Sequence, residues 1–141
     1  MADDGSDFAR SMSIATSGLR AQAGRLRVIS ENIANAESTA PTAGGNPYRR
    51  KVPTFSSALD RTLDARVVTL GKIRTDQSAF RVKHEPGNPA ADAAGNVKYP
   101  NVNPLVEMTD MREAQRSYEA NLNIISATRR MIQRTLDILK A

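Results

Sequence analysis

Residues 8–36 read FARSMSIATSGLRAQAGRLRVISENIANA, and apolar side chains recur along this stretch in alternating steps of four and three. That spacing predicts an amphipathic helix with the narrow apolar stripe of a coiled coil. Gly18 and Gly24 weaken such a helix by about 1 kcal/mol each relative to alanine, so it should be marginal alone. The stripe consists of Phe8, Met12, Ala15, Leu19, Gln22, Leu26, Ile29, Ile33 and Ala36.

The last segment, residues 104–141, predicts a second helix of the same kind. Asn103 is placed to cap it, and Pro104 suits its first position, where a missing N–H costs nothing. At 1.5 Å per residue this helix would reach about 57 Å, which calls for a long partner. Its stripe, interrupted by Gln115 and Arg129, consists of Met108, Met111, Tyr118, Leu122, Ile125, Ile132, Leu136 and Leu139.

The middle of the chain contains all seven prolines, between Pro41 and Pro104. Since proline interrupts helices, the chain divides into an N-terminal helix (1–36), an insert (37–103) and a C-terminal helix (104–141). Within the insert, YRRKVPTF, RVVTLGKIR and AFRVK have the character of short strands, whereas EPGNP and AADAAGN indicate turns. The predicted fold class is therefore mainly α with a small β-rich insert.

Length and composition limit the classes of protein to consider. A chain of 141 residues makes one ordinary domain, and the absence of cysteine excludes disulfides and thiolate metal sites. The acidic start, MADDGSDFARSM, lacks the features of a secretory signal, and no apolar run approaches the roughly 20 residues of a membrane span. We therefore expect no membrane span and no cleaved signal peptide.

Catalytic signatures are weak. The single histidine, His84, has Glu85 beside it in a proline-glycine turn, and one imidazole without cysteine offers few ways to build a nucleophile or metal site. A solvated loop histidine is the favoured interpretation, and an enzyme subunit with an incomplete site is the rival one. We expect no catalytic residue, no metal and no cofactor.

The net charge of +5 is concentrated in the insert, where Arg49, Arg50 and Lys51 follow one another. This run indicates either a solvated loop, which we favour, or a surface for an anionic partner. A nucleic-acid-binding module using the basic insert is thus the alternative function. Such sites usually add aromatic or motif signatures, and the chain has three Tyr, three Phe and no Trp.

The two apolar stripes also allow two interpretations. They could bury each other as a hairpin within one chain, or they could form a seam between chains. Two long stripes without a third helix leave much of each flank exposed, so we favour association with other chains.

Several stretches carry a resemblance to a known family. SGLRAQAGRLRVISENIANAEST (17–39) resembles the N-terminal signature of flagellar rod, hook and hook-associated axial proteins, in which a helix ends in an Asn-Ile-Ala-Asn segment. HEPGNPAADAAGN (84–96), VKYPNVNPLVEMTDM (97–111) and RSYEANLNIISATRRM (116–131) are similar to the proximal-rod members of that family. The combination of PGNP with YPNVN is more specific than NIAN alone.

The resemblance implies a structural rod subunit without enzymatic activity, which transmits torque in the basal body and crosses the periplasm. It implies that the terminal helices pair as a coiled coil in the inner layer of a helical tube. The implied partners are other copies of the chain, neighbouring rod proteins of the FlgB, FlgF, FlgG and FliE types, and the flagellar type III export apparatus. Nucleic acid is not among them.

With this family in view, the two asparagines of NIAN acquire expected roles. Asn35 ends the first helix, since asparagine bonds backbone groups and tolerates left-handed conformations, and Asn32 makes a polar contact between packed helices. The alternative is that both amides face water. The predicted subunit interface comprises Phe8, Met12, Leu19, Leu26, Ile29, Asn32, Ile33, Asn35, Met108, Met111, Tyr118, Leu122, Ile125, Ile132, Leu136 and Leu139.

Overall fold

The computed structural model describes residues 4–140 and contains two long helices with short strands between them. Helix α1 spans Asp4–Ala34 and helix α2 spans Pro104–Lys140. The predicted class, mainly α with a small β-rich region, is confirmed. The strands are β1 Lys51–Val52, β2 Phe55–Asp60, β3 Ala65–Leu70, β4 Arg74–Thr75, β5 Arg81–His84 and β6 Asn96–Tyr99.

The strands form three separate antiparallel pairs, β1 with β4, β2 with β3, and β5 with β6. The three predicted stranded stretches all contain strands, and EPGNP and most of AADAAGN form turns as expected. Two strands were missed, namely most of β2 and all of β6. The sequence of β2, FSSALD, lacks β-branched residues, so its pattern gives little indication of a strand.

The start of α2 confirms the predicted cap. The backbone N–H of Leu105 donates to Asn103 Oδ1 at 3.1 Å, and the N–H of Glu107 donates to the Asn103 carbonyl at 3.1 Å. Pro104 occupies the first helical position, where the missing donor leaves no bond unmade.

The end of α1 confirms part of the role predicted for Asn35. Its side-chain Nδ2 donates to the Glu31 carbonyl at 2.8 Å, and its carbonyl accepts bonds from the backbone and the hydroxyl of Ser38. Its backbone, however, is not left-handed. The positive φ of a non-glycine residue is found instead at Asp64, with φ of 47°, in the turn that joins β2 to β3.

The chain divides into two compact units, and both helices contribute to each. The hairpin unit combines the residues up to Leu26, Thr54–Lys72 and those from Glu113 onward. The sheet unit combines Arg27–Pro53 with Ile73–Arg112.

In the hairpin unit the two helices contact each other and run antiparallel. Gly18 lies against Asn121, where an added Cβ would come within 2.9 Å of Nδ2, and Arg25 lies 3.5 Å from Glu113. The contact between the helices therefore includes a glycine and polar side chains. At Gly18 the missing side chain lets α2 approach α1 closely. Bulky residues one position away, Leu19 on α1 and Leu122 on α2, are half-buried and exposed, respectively.

Gly24, the second glycine of α1, likewise allows close packing of the helix on the β2–β3 hairpin. A Cβ built on Gly24 would lie 2.6 Å from Leu70 Cδ2. On the same side of the hairpin, the backbone N–H of Val68 donates to Ser17 Oγ at 3.2 Å. The glycines that weaken the isolated helix thus make room for its neighbours.

The sheet unit contains a small core of its own, in which Val97 and Tyr99 of β6 pack with Ala90. Val28 of α1 and Val102, just before α2, are also fully buried. Arg81 donates to the carbonyls of Ala36 and Pro100. Within residues 4–140, neither helix has the length of apolar sequence required to cross a bilayer.

Candidate functional site

A buried polar cluster in the sheet unit is centred on the first asparagine of NIAN, and we call it the Asn32 node. It consists of Asn32, Tyr48, Arg50, Lys51 and Glu107. The Asn32 side chain is 1% exposed and uses its whole hydrogen-bonding capacity. Nδ2 donates to the Lys51 carbonyl at 2.8 Å and to Glu107 Oε2 at 3.1 Å. Oδ1 accepts from Tyr48 OH at 2.8 Å and from the Lys51 N–H at 2.9 Å.

The bond to Glu107 confirms the predicted polar contact between helices, since Asn32 lies on α1 and Glu107 on α2. The other three bonds join Asn32 to Tyr48 and to the main chain of Lys51 in β1. The alternative in which Asn32 faces water is wrong, because an amide with four internal partners has no bond left to offer to solvent.

Glu107 provides the buried charge of the node and is 1% exposed. Arg50 Nε donates to Glu107 Oε1 at 2.6 Å, and the same guanidinium lies 3.8 Å from Asp76 and 3.9 Å from Asp110. A buried carboxylate is tolerated only when it is paired and hydrogen-bonded, and both Glu107 oxygens have partners.

The surroundings of the node also change the pKa of Tyr48. Burial, followed by the negative charges of Glu31 and Glu107, raises the pKa of Tyr48 from 10.0 to about 12. All three effects disfavour the tyrosinate. Tyr48 is therefore held as a neutral donor to Asn32 at any ordinary pH.

The basic run was interpreted as a solvated loop, and that interpretation is wrong for all three residues. Arg50 is paired with Glu107, and Lys51 Nζ contacts the carboxylate of Glu31. Arg49 stacks on the Phe80 ring at 4.2 Å and donates to the carbonyls of Asp76 and Ser78. These cations are committed to contacts within the chain, so the structure does not support a nucleic-acid site built on them.

His84 lies on β5 and is exposed, with Nδ1 at 3.3 Å from Asn96 Oδ1. Its neighbour Glu85 accepts bonds from Tyr99 OH at 2.8 Å and Asn88 Nδ2 at 3.1 Å, which lower the pKa of the Glu85 carboxyl. In the part of the chain that the structure describes, His, Asp and Glu residues form no cluster that could hold a metal ion. The arrangement around His84 is that of a surface hairpin.

A second feature is the exposed apolar surface on the C-terminal half of α2, which we call the α2 flank. Its exposed side chains both precede and follow the buried Thr128 along the helix. Ile138 is 76% exposed and Leu139 is 77% exposed. Many exposed bulky apolar side chains on one helical segment are typical of an interaction site. The flank consists of Leu122, Ile124, Met131, Leu136, Ile138 and Leu139.

The sixteen predicted interface residues fall into three classes of exposure. Ile29 and Asn32 are buried within the chain. The exposed members are Met108, Leu122, Leu136 and Leu139. The half-buried members are Phe8, Met12, Leu19, Leu26, Ile33, Asn35, Met111, Tyr118, Ile125 and Ile132.

Sequence reasoning missed most of the node. The sequence patterns assign no role to Glu107 or to Tyr48. Asn101 of YPNVN, which accepts the Arg50 N–H at 2.9 Å and donates to Ser78, was also missed. These residues are far apart along the chain, so no local pattern in the sequence signals that they meet.

Comparison with known proteins identifies the family. The family described as flagella basal body rod protein matches residues 12–40, which include NIAN, and the family described as flagellar basal body rod FlgEFG protein C-terminal matches residues 93–138. These two segments contain Asn32 and Glu107.

Whole-chain relatives agree. The flagellar basal-body rod protein FlgC of Agrobacterium fabrum is 55% identical over 128 residues, which cover 91% of this chain and 92% of that protein. FlgC of Bacillus subtilis is 38% identical over 92% of this chain and 97% of that protein, and FlgC of Salmonella typhimurium is 39% identical over 89% and 92%. At this identity and coverage, the chain belongs to the FlgC family of flagellar basal-body rod proteins.

Proposed function

We propose that this chain is a structural subunit of the proximal rod, which assembles through its terminal helices into a helical tube that transmits torque across the periplasm. The observation that carries the proposal is the α2 flank in a member of a rod-protein family. The flank presents six bulky apolar side chains that the chain's own helices and strands leave exposed.

Burial of such side chains against neighbours supplies the driving force for assembly. Fully burying a leucine, isoleucine or methionine is worth about 1.5–3 kcal/mol, so the flank gains most of its stabilisation only in contact with other chains. Ile124, Met131 and Ile138 recur every seven residues, and Leu122 and Leu136 lie fourteen residues apart. Two such rows favour contact with more than one neighbouring helix.

The contacts of a helical tube must join unlike surfaces, because a two-fold interface closes on itself. The two helices differ enough for this: α1 is rich in alanine and glycine, whereas α2 carries the bulky flank. The partners we propose are other copies of the chain and rod proteins of the FlgB, FlgF, FlgG and FliE types. Delivery by the flagellar type III export apparatus, without a cleaved signal, completes the proposal.

The sixteen interface residues remain a prediction, with roles that now differ. The exposed members, such as Leu136 and Leu139, are the ones proposed to contact neighbours directly. Asn32 and Ile29 are proposed to act by holding the helices in position, since their side chains are buried within the chain.

The test is the double substitution Ile138→Asp with Leu139→Asp, examined in cells for motility and for the amount of the chain in purified basal bodies. Two carboxylates on the flank would be buried without partners on assembly, so we expect incorporation and motility to be lost. Ser126→Asp is the matched control, because it adds a charge at an exposed polar position of the same helix. Normal incorporation of the double variant, at an equal level of protein, would overturn the proposal.

A further inference from the structure

The outer edge of β2 presents main-chain groups that take no part in the hairpin. Val68 uses its N–H to bond Ser17, so the Ser57–Val68 pair is one that exchanges no ladder bonds. Independently, the Gly71 N–H donates to the Thr54 carbonyl at 2.7 Å, so Thr54 and Gly71 form a hydrogen-bonded pair. The next pair, Phe55 with Leu70, is then a non-bonded one, in agreement with the Ser57–Val68 pair. Because bonded and non-bonded pairs alternate in antiparallel ladders, Phe55, Ser57 and Leu59 point their N–H and C=O groups outward.

From Phe55 to Leu59 this edge is exposed and carries no charged side chain, and the charged Asp60 that ends β2 is half-buried. The five residues Phe55–Leu59 are all exposed, and Phe55 and Leu59 are large apolar side chains on the same face as Ser57. Natural edge strands are normally protected by lysine, proline, a bulge or a covering element. Strand β5 shows such protection, since Arg81 and Lys83 lie along it. An edge without protection is one that a partner strand covers.

The other strands of this chain do not supply that partner. The outer edge of β3 contacts Ser17, and that of β1 is occupied by Asn32, which bonds both the N–H and C=O of Lys51. Strand β4 has two residues, and β5 carries the protecting charges. On β6, Asp92 bonds both the N–H and the C=O of Asn96. Pairing of β2 with β2 of a second copy would close a two-fold dimer, which a helical tube excludes.

We propose that β2 is completed in the assembled rod by an extended strand from a different rod protein, which adds to its outer edge by main-chain hydrogen bonding. The partner segment is uncharged, with apolar residues at alternate positions that pack on Phe55 and Leu59. This is the β-augmentation mode, in which the main chain provides affinity and alternate side chains provide selectivity. The inference rests on the proposed function, because it requires neighbouring rod proteins.

Ser57→Pro tests the edge directly. Proline removes the outward N–H of residue 57 and places its ring in the path of an added strand, while the ladder bonds of residues 56 and 58 are kept. We expect at least about a tenfold fall in the amount of the chain in purified basal bodies. Ser57→Ala, which keeps the N–H, should incorporate normally.

A second variant guards against misfolding of the proline variant. Ser57→Lys keeps the main chain intact and adds an edge-protecting charge at an exposed position, so it should reproduce the defect with an unchanged unfolding midpoint. Normal incorporation of Ser57→Lys and of a folded Ser57→Pro would overturn the proposal.

Photo-crosslinking from residue 57 identifies the occupant. With p-benzoylphenylalanine at this position in assembled basal bodies, we expect an adduct with an extended segment of a different rod protein, identified by mass spectrometry. An adduct between two β2 strands of this chain would overturn the proposal in favour of self-pairing. If these tests fail while the double substitution at 138 and 139 abolishes incorporation, the rod function stands without the added strand.

Discussion

Two side-chain amides of α1, those of Asn32 and Gln22, have opposite surroundings. In the sheet unit, Asn32 makes four hydrogen bonds and leaves no capacity unused. In the hairpin unit, Gln22 buries its Oε1 without a hydrogen-bond partner among the described residues. A buried acceptor without a donor is unfavourable, whereas a fully satisfied one fixes the packing around it.

The comparison extends to the rest of each unit. The sheet unit has an apolar core at Val97 and Tyr99 and a paired buried charge at Glu107. The hairpin unit contains the α2 flank and the exposed strand β2. The Asn32 node thus satisfies its polar groups within the sheet unit, whereas the hairpin unit leaves a buried oxygen of Gln22 without a partner among the described residues and exposes the apolar side chains of the α2 flank.

The largest expected effect on stability comes from removing the better satisfied amide. Asn32→Ala strips partners from Tyr48, from both main-chain groups of Lys51 and from Glu107, at about 1–3 kcal/mol for each buried group left unpaired. We expect the free energy of unfolding to fall by at least about 4 kcal/mol. Urea unfolding followed by circular dichroism measures it.

The matched control is the other asparagine of NIAN. Asn35→Ala removes one side-chain bond, to the Glu31 carbonyl, from a half-buried position and should cost about 1 kcal/mol or less. Equal losses for the two variants would show that the node does not stabilise the sheet unit more than an ordinary helix end.

The next effect has the opposite sign. Gln22→Leu replaces a buried unsatisfied oxygen by an apolar side chain of similar volume, so we expect the free energy of unfolding to rise by about 1 kcal/mol. Thermal unfolding of the purified chain measures the change. A loss of stability would mean that the Gln22 side chain is satisfied in solution, and the contrast with Asn32 would disappear.

The helices could be predicted from the sequence, whereas the contacts of the Asn32 node could not. The bounds of the helices followed from heptad spacing, from Asn103 and Pro104, and from NIAN, because these are local signals. The node was not predictable, because Asn32, Lys51 and Glu107 are far apart in sequence and meet only in the folded chain. The approach of Asn121 to Gly18 was not predictable either, because a hydrophobic pattern gives no weight to a glycine or to a polar side chain.

A smaller effect should appear only in alkali. The pKa of Tyr48 is raised to about 12, so between pH 10 and 12 the unfolded tyrosine loses its proton while the folded one keeps it. The folded state then binds more protons, and stability falls as the pH rises through this window. Tyr48→Phe should be less stable than the parent chain below pH 10 and should lose less of its stability between pH 10 and 12. Parallel curves for the two proteins across that range would contradict the role of Tyr48 in the node.

The smallest effect on stability is expected at the α2 flank, where the effect on assembly is the largest. Leu139 is 77% exposed within the chain, so Leu139→Asp removes little buried area and should change the free energy of unfolding by no more than about 0.5 kcal/mol. Urea unfolding of the parent and variant chains, shown by sedimentation to be monomeric, gives the comparison with Asn32→Ala. A loss of several kcal/mol would mean that the flank is already buried in the isolated chain and that its side chains are not available to neighbours.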